Sequence, residues 1–106
     1  MRMNADREHL PLFLKQYFWD VPLTQVHLKR SQRFVLERIL EYGDPQAVRW
    51  MQACFDARTI RDTIARSTQL SARSANLWAI MYRLTRTQVR CLSSAFQKRR
   101  RQHWVA

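Results

Sequence analysis

SQRFVLERILEYGDPQAVRWMQACF, residues 31–55, decides the fold. Val35, Ile39 and Tyr42 recur at three- and four-residue spacing with Leu36 and Leu40 beside them, which is the apolar stripe of a helix. Ser31 reads as the N-cap of that helix, and Gly43 as the left-handed residue that ends it. Asp44 and Pro45 restart the chain, one as N-cap and the other at the first helical position. The helix they open runs to about Phe55. Val48, Met51 and Phe55 form its apolar face, and Ala47, Trp50 and Cys54 adjoin it.

The same reading extends in both directions. Asp56 can cap a helix of roughly ten residues that carries Ile60 and Ile64 and ends near Ser67. Ser71 caps another, running to about Leu84. Thr85 and Gln88 have the spacing of a capping box and open a sixth helix with Val89, Leu92 and Phe96. Upstream, Leu10 to Phe18 suits a short helix starting near Pro11. Residues 19–22 should be extended, because the residue before a proline avoids the α region, and 23–30 read as an irregular connection. The expected fold is all-α: a compact single-domain bundle of five or six short helices over residues 1–97, with Trp50 and Trp78 buried and a basic C-terminal tail over 98–106.

Composition narrows the function classes. The 106 residues include a single Gly and three Pro. A many-stranded β fold needs glycine-rich turns, and phosphate-binding and dinucleotide loops need several glycines, so both are excluded. The longest uncharged stretch, Ser74 to Tyr82, is nine residues, far short of a membrane span. The polar start lacks the apolar region of a secretory signal, and the expected location is the cytoplasm. Cys54 and Cys91 lie 37 positions apart without metal-type spacing and read as reduced, packed thiols. His9, His27 and His103 have no partner at ligand spacing, and the carboxylates are scattered. Cys91 follows Arg90, but a thiol nucleophile also needs a partner base. No enzyme, metal or cofactor is expected.

Charge is the strongest signal. Lys and Arg total 19 against 8 Asp and Glu, a formal net charge of +11. Residues 1–62 hold 10 bases and 8 acids, whereas 63–106 hold 9 bases and no acid, Asp62 being the last carboxylate. A half-chain of one sign attracts polyanions. Arg83, Arg86 and Arg90 fall close to one face at helical spacing, and the run Lys98, Arg99, Arg100, Arg101 follows. Arginine favours bidentate phosphate contact, and His103 and Trp104 can stack on unpaired bases.

Residues 57–84 resemble a helix-turn-helix, with a turn ending at Leu70-Ser71 and Trp78 seven residues beyond the cap. In that unit Ser74, Ala75 and Trp78 pack inward, while Ala72, Arg73, Asn76 and Arg83 face the groove. Arginine suits the guanine edge and asparagine the adenine edge. The turn lacks the usual glycine, however. The second helix is also apolar on more than one side through Leu77, Ile80, Met81 and Leu84, the pattern of a core helix. Both readings stand. Upstream, Tyr17, Phe18, Trp19 and Asp20 either anchor the N-terminal arm on the core or, if exposed, form a partner-binding patch at Trp19 and Asp20.

Four motifs in order, FWDV (18–21), ERILEYGD (37–44), VRW (48–50) and LSARSANLW (70–78), resemble a small prokaryotic helical domain of unknown function. Members of that family are often encoded beside abortive-infection-type nucleotidyltransferase toxins, so the resemblance, which covers residues 10–84, implies an antitoxin-like role and supplies no catalytic residues. The expected function is a nucleic-acid-binding protein, acting on duplex DNA ahead of RNA, as antitoxin or autoregulator of a toxin operon. The rival is a protein-interaction module that neutralises an acidic partner without touching DNA.

Overall fold

The computed structural model describes residues 10–22, 25, 26 and 30–105, with side chains as far as Arg99. The protein is all-α, and no strand occurs among the described residues. The α-helices are α1 (Gln32–Tyr42), α2 (Pro45–Cys54), α3 (Ala57–Arg66), α4 (Ala72–Met81) and α5 (Ser94–Val105). The chain divides into two compact units, Met1–Ala57 and Arg58–Ala106. No helix among the described residues is long and apolar enough to cross a membrane.

In the first unit the segment after Pro11 forms a 3-10 helix, Leu12–Tyr17, that buries Leu14 and Tyr17. α1 buries Val35, Leu36, Ile39 and Leu40, as its periodicity requires. Tyr42, at the end of that stripe, is exposed and meets Trp19 edge-on at 5.3 Å. Two expected caps differ. Ser31 makes no capping hydrogen bond, because its ψ of 22° departs from the extended geometry that aims a side chain at the first helical N–H groups. Gly43 is extended, at φ −68° and ψ 145°, and not left-handed. Glycine is required there for space: a Cβ would stand 2.6 Å from the Ile39 carbonyl oxygen and 2.9 Å from Ile39 Cγ2.

The restart at Asp44-Pro45 is as expected. Asp44 Oδ1 accepts from the Ala47 N–H at 2.9 Å, while the Asp44 N–H donates to the Tyr17 hydroxyl at 3.0 Å. α2 buries Ala47 and Met51, one helical turn apart. Trp50 lies at the edge of that stripe, so it is only half-buried, with its ring edge-on to Phe55 at 6.1 Å. Residues 19–21 turn instead of running extended: the Val21 N–H returns to the Phe18 carbonyl. The proline constrains only Val21, and an arginine on α1 holds the preceding residues in the turn.

In the second unit α3 buries Ile60, Thr63 and Ile64, and α4 buries Ala75, Trp78 and Ala79. The expected sixth helix from Thr85 does not form as one piece. Arg86–Gln88 and Arg90–Leu92 are separate 3-10 turns joined through extended Val89. Val89, Cys91 and Leu92 are all buried. Residues two apart lie on opposite sides of an α-helix, and the break at Val89 lets both Val89 and Cys91 be buried in a chain covered on one side.

Candidate nucleic-acid interface

The α3–α4 turn is closed without glycine. Ser67 is fully buried. Its N–H donates to the Thr63 carbonyl at 2.9 Å, its hydroxyl accepts from the Gln69 N–H at 3.0 Å, and its carbonyl accepts the Cys91 thiol at 3.1 Å. The backbone and hydroxyl of this one residue thus satisfy polar groups that a tight turn would otherwise leave buried. Ser71 then caps α4, its hydroxyl accepting from the Ser74 N–H at 3.1 Å.

α4 is buried on one face only. Arg73 and Asn76 are exposed on the other, and so are Leu77, Ile80 and Met81. The core-helix pattern read from the sequence is therefore not realised: apolar residues occur around α4, but a single stripe of them is covered. Beyond α4 the Leu84 N–H reaches the Ala79 carbonyl at 2.8 Å and the Arg83 N–H the Ile80 carbonyl at 3.2 Å, a Schellman motif. Its left-handed position, usually glycine, is Arg83 at φ 59°. Arg61 Nη1 donates to the adjoining Tyr82 carbonyl at 2.9 Å, placing a cation at the negative end of α4.

Arg83, Arg86 and Arg90 are exposed, but they share no helical face. Arg83 ends the Schellman motif, and the other two open separate 3-10 turns. Gln88 Oε1 accepts from the Thr85 N–H at 2.8 Å, so the capping box exists and governs one turn only. Ser93 opens α5, its hydroxyl accepting from the Phe96 N–H at 3.2 Å, and the Gln97 side-chain amide donates to the Cys91 carbonyl. The expected tail is helical from Ser94 to Val105 and presents Lys98 and Arg99 to solvent. The side chains of Arg100, Arg101, His103 and Trp104 lie outside the described residues, as do His9 and His27. Among the described residues, Arg73, Arg83, Arg86, Arg90, Lys98 and Arg99 make no ion pair.

The aromatic segment has a different role from the basic one. Arg38 on α1 donates to both Asp20 carboxylate oxygens, at 3.0 and 2.8 Å, and to the Tyr17 carbonyl at 2.9 Å. Its guanidinium lies 4.6 Å from the Phe34 ring centre, 4.7 Å from that of Trp19 and 5.8 Å from that of Phe18. That hydrogen bonding holds the Asp20 carboxyl below the usual carboxylate range. Asp20 is thus committed within the chain, while Trp19 stays largely exposed. Sequence reasoning missed Arg38, although an Arg in the ERILEYGD motif with aromatics and an acid upstream was a usable signal. It also missed a shallow depression of about 410 Å3 lined by Arg58, Arg61, Asp62, Ala65 and Leu84, where Asp62 pairs with Arg66 at 3.0 Å. Among the described residues no group of three His, Cys, Asp or Glu side chains is placed to hold a metal.

These features define a small, strongly basic, all-α protein whose acid-free half, as far as its side chains are described, turns its cations to solvent. Residues 13–64 match the model of a family of unknown function (DUF6922), to which this segment is similar. The match includes the Arg38 cluster, α1, α2 and most of α3, and it ends before Leu70–Trp78. No curated protein and no solved structure matches the chain.

Proposed function

We propose that the protein binds nucleic acid, duplex DNA first, through the acid-free half, and acts as the antitoxin or autoregulator of a toxin operon. The observation that carries the reading is the charge distribution: nine bases and no carboxylate over residues 63–106. The unpaired, exposed state of Arg83, Arg86, Arg90, Lys98 and Arg99 supports it, because each is free to exchange a counterion for a phosphate. The start of α4 supports duplex DNA, since Arg73 and Asn76 are exposed in its first turns, ahead of Ile80 and Met81. The operon role rests on the resemblance in the four motifs. The test is duplex binding by the full chain and by a variant with Arg86, Arg90, Lys98 and Arg99 all replaced by Gln. At 0.1 M salt the variant should bind at least about 100-fold more weakly. A reporter driven by the DNA upstream of the gene should be repressed by the parent and released by the variant. Equal duplex affinity of the two proteins would reject the interface. Absence of duplex binding by the parent would reject the function.

A further inference from the structure

Leu77, Ile80 and Met81 are 53%, 68% and 57% exposed, though each is a large aliphatic side chain in a well-formed helix. They are not scattered. At 3.6 residues per turn, Arg73, Leu77 and Ile80 fall within about 60° of one another around α4, opposite the buried Ala75, Trp78 and Ala79. Asn76 and Met81 flank that line. A contiguous exposed apolar strip on a small protein marks a contact surface.

We infer that this outer face of α4 is the docking surface for an amphipathic helix of a partner protein, with apolar residues at three- and four-residue spacing and carboxylates on its flanks. Three observations select that occupant. Leu77 and Ile80 occupy the centre of the face, where base edges offer them only the thymine methyl group, so a DNA groove would leave most of their surface opposite polar atoms. An apolar helix face fits them, and Met81 adapts to its details. The ends of the strip are cationic. Arg73 stands one turn before Leu77, Arg83 two residues after Met81, and neither has an ion-pair partner among the described residues. Residues 63–106 supply no carboxylate of their own. A second copy of the chain across a two-fold axis would set the same cations against each other. Carboxylates on a partner helix complement them. The inference shares Arg73 and Arg83 with the nucleic-acid reading but rests on Leu77, Ile80 and Met81, which that reading does not use, so the two can fail separately.

The test is selection of a displayed library of amphipathic helices against the full-length protein. The library keeps Leu, Ile and Met at helical spacing and varies the flanking positions among Asp, Glu, Lys, Arg and Ser. Enriched sequences should carry Asp or Glu at the flanks. As synthetic peptides they should bind Ile80→Lys and Leu77→Lys about tenfold or more weakly than the parent. Both positions are exposed, so melting temperatures should stay near the parent's, and a variant that melts early is replaced by Ile80→Ser. Duplex affinity of Ile80→Lys should not fall below that of the parent. Enrichment of basic or neutral flanks, no enrichment, or unchanged binding by the variants overturns the inference. Self-association of the parent that Ile80→Lys abolishes assigns the face to a second copy, and weaker duplex binding by that variant assigns it to nucleic acid. Either result also overturns it.

Discussion

Arg83 carries a conformational cost that the chain does not avoid. Its φ of 59° closes the Schellman motif after α4, in a region that disfavours any residue with a Cβ by about 1–2 kcal/mol. Arg83→Gly should therefore stabilise the fold by about 0.5–1 kcal/mol once the greater freedom of glycine in the unfolded chain is deducted. The same change removes a cation and should weaken duplex binding. Urea titration and a binding isotherm on the one variant read both effects, and a loss of stability would mean that the arginine side chain contributes packing that outweighs the strain. The left-handed residue was not legible in the sequence. Residue type pointed to the single glycine, but Gly43 meets a different need, the close approach of Ile39. Asp44 and Ser71 were legible because a cap depends on the side chain itself and its distance to the next N–H groups. Asp20 gives a pH dependence. Its folded pKa lies below the ordinary carboxylate range because of the Arg38 hydrogen bonds, so its contribution is present at neutral pH and is lost as pH falls through that lowered pKa. Asp20→Asn should be less stable than the parent at pH 7, and the gap should close with acidification. A gap that stays constant in melting curves down to pH 2 would exclude the ion pair as its source.

The helices whose apolar residues keep one period were readable to within a residue or two: α1, α2 and α3 match their expected spans closely. α4 is shorter than expected because the Schellman motif stops it at Met81, three residues before the end its apolar residues suggested. Its local composition also could not tell which apolar residues are covered, since that depends on the side from which the 90–92 turn approaches. The segment after Thr85 failed for a related reason. Val89, Leu92 and Phe96 fit a helical stripe, but burial of Cys91 beside Val89 is a tertiary demand that sequence periodicity does not contain. These burial patterns give α4 a sharp test. Trp78 is the one large side chain on its buried face, so Trp78→Ala should cost roughly 3–5 kcal/mol. Leu77→Ala, on the exposed side, should stay within about 0.5 kcal/mol. Thermal unfolding of the two variants compares the faces directly, and similar losses in both would mean that the outer face is also covered in the free protein.

At the scale of the whole molecule, charge decides behaviour. The formal net charge of +11 is concentrated in the C-terminal residues, and this was fully legible, because no fold can bring a carboxylate into residues 63–106 from within them. What the sequence misassigned was the arrangement: a single arginine stripe was expected, whereas the structure distributes the cations over a helix C-terminus, two 3-10 turns and α5. Distributed cations still act together on a polyanion, since each phosphate neutralised releases its own counterions whatever element holds the arginine. If four to six side chains reach phosphates, log K against log salt should slope at about −4 to −5 on duplex DNA. Removing residues 98–106 takes away Lys98, Arg99, Arg100 and Arg101. It should make the slope shallower by up to about 3–4, depending on how many of the four make contact. Ser93, Phe96 and Gln97 are retained, so the cap of α5 and the Gln97 hydrogen bond to the Cys91 carbonyl survive and the melting temperature should change little. Parallel salt titrations of the full and shortened chains decide the arrangement. An unchanged slope would confine the contacts to Arg73, Arg83, Arg86 and Arg90. A slope near zero for the full chain would remove nucleic acid as the ligand and leave the acidic partner helix as the claimant on this half of the molecule.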